Sequence, residues 1–77
     1  MKKYLVSTTT HKTDGTRIDN WEGAYIEAEC REDAEKEAVE WEENMLLLVG
    51  AYNIEIDGTT IWHEIEGEER YTVVHID

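Results

Sequence analysis

Carboxylates dominate the side chains able to do chemistry. Nineteen of the 77 residues are Asp or Glu against seven Lys or Arg, and the formal net charge is −12. Carboxylate pairs are the usual tools of acid–base catalysis, but here nearly every segment offers one, so no pair stands out. His11, His63 and His75 are the only imidazoles, and no two of them have metal-ligating spacing. Cys30 is the single thiol, which excludes an intramolecular disulfide and a Cys-based zinc site. A helix N-terminus there would favour its thiolate, whereas Glu29, Glu32 and Asp33 oppose it, so a stand-in N-cap is the preferred role. No Asp-x-Asp-x-Asp-Gly calcium loop and no Gly-rich phosphate loop occurs. The expectation is a non-enzyme without metal or cofactor.

What remains is electrostatic, and it is uneven. Residues 1–17 hold Lys2, Lys3, Lys12 and Arg17 against Asp14, a net of +3. Residues 18–77 hold eighteen acids against Arg31, Lys36 and Arg70, a net of −15. Such a surface repels phosphate backbones and attracts basic ones, so direct nucleic-acid binding is not expected and a basic partner is.

The elements that position these acids can be read from period and punctuation. Residues 3–9 are β-branched and aromatic, a first strand. Residues 10–22 are polar, include Asp14-Gly15, and read as a long hairpin loop or a partly ordered excursion. In 23–29, Ala24, Ile26 and Ala28 alternate with Tyr25, Glu27 and Glu29, a second strand with one wet face. Ala34, Ala38, Trp41, Met45 and Leu48 then recur at helical spacing, predicting a helix over 31–48 with Cys30 before it and Gly50 as its C-cap. Strands over 51–56, 59–66 and 70–76 follow, the first two joined by an Asp57-Gly58 turn. The order is ββαβββ, an α+β domain spanning 1–77 with one helix packed on an antiparallel sheet.

That turn puts Ile56 opposite Thr59, Ile54 opposite Ile61 and Tyr52 opposite His63. A tight connection at 66–69 puts Ile61 opposite Val74 and His63 opposite Thr72. Tyr52, Ile54, Ile56, Ile61, Ile65, Val74 and Ile76 then share the face that meets the helix. The other face carries Trp62, Val73, Tyr71, His75 and Asn53, framed by Glu55 and Glu64. Either this face is open, giving an aromatic centre with an acidic rim suited to binding, or the first strand or the 10–22 loop with Trp21 covers it. Opposite the helical stripe lie Glu32, Glu35, Glu40 and Glu43, with Asp33, Glu37 and Glu42 nearer its boundary. Arg31 and Lys36 offer them few i,i+4 partners.

The apolar stretch after Met1-Lys2-Lys3 is too short for a signal peptide, and no apolar run approaches the ~20 residues of a membrane span. With one free cysteine, a reducing cytoplasm is expected.

The opening Met1-Lys2-Lys3-Tyr4-Leu5-Val6, a variable loop, and Tyr25-Ile26-Glu27-Ala28-Glu29 running into a Glu- and Ala-rich helix resemble small phage-encoded proteins. In particular the layout is similar to anti-CRISPR proteins of the strand–strand–helix–sheet type. The resemblance covers most of the chain and rests on layout, length and charge rather than a diagnostic motif. It implies direct binding to a CRISPR-Cas effector in the host cytoplasm, blocking its DNA groove or nuclease recruitment, in some members as a DNA mimic. It assigns no residue a role. The charge pattern itself nominates Glu32, Glu35, Glu40 and Glu43 of the helix with Glu55 and Glu64 of the sheet as partner-binding residues. The alternative is an adaptor or homodimer that uses Trp62 and Tyr71, with Val73, as an apolar contact and has no inhibitory role.

Overall fold

The computed structural model describes residues 1–77. Its elements are β1 (Lys2–Lys12), β2 (Arg17–Ala28), α1 (Arg31–Leu48), β3 (Tyr52–Asp57), β4 (Thr60–Ile65) and β5 (Glu68–Ile76). All five strands are antiparallel in one sheet of order β2-β1-β5-β4-β3, and α1 packs against one side of it. This is the α+β architecture in the order ββαβββ.

The core lies between helix and sheet. Ala34 and Ala38 are fully buried against Val6, Ile61, Val74 and Ile76, with Ala28, Val39, Leu46 and Ala51 completing the cluster. Alanines on the helix let its backbone approach the sheet closely, so a small chain still builds a dry layer. Cys30 stands at the N-cap in extended conformation, but its side chain makes no capping bond. Glu32 and Asp33 in the first turn complement the positive end of the helix dipole. At the other end Val49 is the C-cap and Gly50 follows at φ 91°. The Ala51 N–H donates to Leu46 O at 2.9 Å and the Gly50 N–H to Leu47 O at 3.1 Å, the paired bonds of a Schellman motif.

Four features depart from the sequence reading. Residues 10–22 are not a loop: β1 and β2 run on within the sheet, β1 still paired with β5 as far as Lys12, and only 13–16 turn, tied by the Thr16 N–H donating to Asp14 Oδ1 at 2.8 Å. The threonine run suits extended backbone, so its polarity marks a solvated strand rather than a break.

The β3–β4 turn is Gly58-Thr59 instead of Asp57-Gly58, with Gly58 at φ 61° in the first central position that requires positive φ. Ile56 therefore faces Ile61, and Glu55 faces Trp62. The β4–β5 turn is Glu66-Gly67, both at positive φ, pairing Ile61 with Thr72 and His63 with Arg70. Each pairing slides by two residues, which preserves the faces.

Asn53, at φ 52°, lies in a bulge that breaks alternation in β3. Tyr52 consequently stands opposite Glu64, outside the core, and its hydroxyl accepts from the Gly67 N–H at 2.9 Å.

Finally, the helix is rotated about its axis. Its buried residues are Ala34, Ala38, Val39 and Leu46, while Trp41 and Met45 sit at the boundary and Leu48 is exposed. Glu42 is thereby turned inward and is half-buried.

Candidate functional site

The rotation changes which acids the helix presents outward, and Asp33 and Glu37 are exposed. Glu32 and Glu40 are exposed and Glu43 is half-buried. Glu35 lies toward the sheet, half-buried, and pairs with Arg31 at 3.3 Å, while that guanidinium also donates to the Ile76 carbonyl. The one other ion pair is Arg70 Nε with Glu68 Oε1 at 2.8 Å. Of the nineteen acids, seventeen thus have no basic side chain in ion-pair contact. Lys3, rather than meeting a carboxylate, lies with its ammonium 5.5 Å from the centre of the Tyr25 ring.

The face of the sheet away from the helix is open. β1 is central in the sheet instead of lying across it, and Trp21 points to the helix side, so neither covers Trp62. Cross-strand pairing aligns Glu55, Trp62, Tyr71, His11 and Arg17 in one row over all five strands. The Trp62 and Tyr71 rings are 4.9 Å apart and tilted, and His11 stacks on Tyr71 at 5.0 Å. Side chains that stand perpendicular to the sheet at adjacent positions bring such rings together automatically. His11 Nδ1–H donates to Gly15 O at 3.4 Å, so in the neutral ring Nε2 accepts from the Thr9 hydroxyl at 3.2 Å. Thr9 Oγ1 in turn takes the Nε2–H of His75 at 3.1 Å. Beside Trp62, Glu55, Glu64 and Glu69 rim a shallow trough of about 290 Å³. The nominated residues therefore divide between two opposite surfaces. Glu55, Glu64, Trp62 and Tyr71 share the open sheet face, whereas Glu32 and Glu40 lie on the outer side of the helix.

A third place was not nominated. Beyond the dry core, the last turns of α1 stand over the other end of the sheet and leave a cleft of about 290 Å³. Trp21 from β2 and Trp41 from α1 form its mouth, ring centres 5.1 Å apart. His63 lies in it, 2% exposed, with Nδ1–H donating to Ile61 O at 3.1 Å and Nε2 buried without a partner. Burial holds the His63 pKa below the usual imidazole range, and nearby Arg70 pushes the same way against the opposing effect of the Ile61 carbonyl. Burial raises Glu42 above the usual carboxylate range, with the charge of Asp19 adding to it. The signal in the sequence was Glu42 itself, which falls at i+4 from Ala38 and i−4 from Leu46 on the helical repeat. Placing Trp41 at the centre of the stripe concealed it.

No group of His, Cys, Asp and Glu side chains is arranged to hold a metal ion, and no helix is long and apolar enough to cross a membrane. Comparison with protein-family models, with curated proteins and with solved structures finds no match to this chain.

Proposed function

We propose that this chain is a non-catalytic binding protein whose exposed carboxylates engage the positively charged, nucleic-acid-binding surface of another protein and block it. The resemblance in layout and charge to anti-CRISPR proteins makes a CRISPR-Cas effector the leading class of partner, met in the cytoplasm of the host cell. The observation that carries this reading is the absence of internal neutralisation. Seventeen carboxylates lack an ion-paired base, so their field extends into solvent and is available to an external cation. Charge repulsion of this size disfavours the compact state, which is consistent with its being kept for a partner.

The test is affinity for purified, guide-loaded effector complexes across a salt series, with E32K/E40K and E55K/E64K variants to identify which surface is used. Binding by charge should weaken steeply as salt rises, and reversal on the engaged surface should cost at least about tenfold in Kd. Salt-independent binding, or two charge-reversed variants that bind like the parent, would sink the reading.

The open aromatic row favours a second reading, an adaptor or homodimer joined through Trp62 and Tyr71. Sedimentation over a concentration series checks it. Self-association abolished by Trp62→Ala and untouched by E32K/E40K is its expected signature.

A further inference from the structure

The cleft under the last turns of α1 has a donor–acceptor imbalance that specifies a ligand. His63 offers Nε2 as an acceptor, because Nδ1 carries the proton that the Ile61 carbonyl takes at 3.1 Å. That acceptor is buried and unpartnered, a costly state that native interiors seldom leave unfilled. Asp19 and Glu42 add two carboxylates to the same cleft. Its one basic residue, Arg70, gives its Nε–H to Glu68 at 2.8 Å. The cleft's own donors are that guanidinium, the Thr8 and Thr10 hydroxyls and the two indole N–H groups, and none of them reaches His63 Nε2. The walls are of a different kind: the Trp21 and Trp41 indoles, with Met45, Leu46 and Ile65 behind them. Indole faces attract cations, and the aliphatic wall suits methylenes.

We propose that the cleft binds a single alkylammonium or alkylguanidinium group, its N–H donors shared among His63 Nε2 and the Asp19 and Glu42 carboxylates, its alkyl chain against the Trp21–Trp41 pair. Such a group supplies three or five donors on a positive charge, which answers the unmatched acceptors and the uncompensated acids together. For the source of the cation this inference rests on the function proposed above: it is a lysine or arginine side chain presented by the basic partner. The acidic surface then accounts for attraction at a distance, and the cleft for registering one side chain of the partner.

Agmatine, with N-butylurea as a neutral probe of similar length, tests this without any partner. NMR of the indole N–H and imidazole resonances should show saturable shifts at Trp21, Trp41 and His63 with agmatine, little change at Trp62, and none of these shifts with N-butylurea. Glu42→Gln removes an inward carboxylate without adding bulk, and should weaken agmatine at least about tenfold while the spectrum stays that of the folded chain. Equal response to both probes, shifts confined to the exposed helix glutamates, or unaltered affinity in E42Q would overturn the inference and leave the surface-charge reading standing. The source is decided by the effector-binding assay. A parallel loss of partner affinity in E42Q supports a partner side chain, whereas loss for agmatine alone overturns that source in favour of a free alkyl cation.

Discussion

The two ends of the layer between helix and sheet are built from opposite materials. Under the first turns of α1, Ala34 and Ala38 meet Val6, Val74 and Ile76, and water is excluded. Under the last turns, Glu42, Asp19 and His63 share a cleft behind two tryptophans. Small side chains let one end close, while indoles and carboxylates keep the other from doing so. A single helix thus both seals a core and forms one wall of a site. The unsatisfied His63 nitrogen lies at the open end, where a missing partner can arrive from outside.

The comparison breaks most sharply at the closed end. Ile61→Ala there should cost about 2–5 kcal/mol, the range for emptying a tightly packed aliphatic site, read as a lowered urea midpoint at unchanged slope. If Ile61→Ala costs no more than a change at His63, the two ends do not differ as described.

His63→Leu comes next, with a smaller effect of opposite sign near neutral pH. It removes a buried acceptor that has no partner, so stability should hold or rise by up to about 1 kcal/mol. The pH dependence sharpens the point. Because the folded state holds the His63 pKa below the ordinary imidazole value of 6.5, the unfolded chain takes up the proton first. The stability linked to this group is complete above pH 6.5 and is lost as pH falls toward the folded value. The variant's advantage over the parent should therefore widen as pH falls below 6.5, and curves that stay parallel would contradict the assignment.

Glu42→Gln is the smallest. Its pKa is raised on folding, so its favourable contribution is present below the ordinary carboxylate value of 4.5 and lost as pH rises through the folded value. At neutral pH the variant should gain a few tenths of a kcal/mol, a modest figure because the carboxyl is still partly wetted and screened. Thermal melts at neutral pH and near pH 4 would check that the gain shrinks in acid.

Much of the architecture was legible from local chemistry. Element order, the helix bounds at Arg31 and Leu48, and the separation of Ile61 from Trp62 onto opposite faces follow from period and turn residues. The open aromatic face was one of two readings the sequence allowed, and the central place of β1 decided it. The misses came where two signals conflicted. Polarity in residues 10–22 suggested a loop, but one face of these strands is open to solvent and the other borders the cleft, so polar side chains are tolerated and strand propensity prevailed. Helix phase was misjudged because Trp41 and Met45 are large and apolar, whereas the sheet required small residues at the point of closest approach. The cleft was illegible for that reason: its glutamate could be recognised as inward only once the helix was correctly phased. The bulge at Asn53 left no mark in sequence beyond a residue type that tolerates positive φ.

The sheet order has a consequence for how the chain is made. β1 lies beside β5, so the first strand of this domain must wait for its fifth before both edges are paired. Pairing across such a long stretch of chain is slow to nucleate. Until it occurs, a β1–β2 hairpin has both outer edges free, exposed to proteases and to strands of other nascent chains, and the arrival of β5 covers the β1 edge.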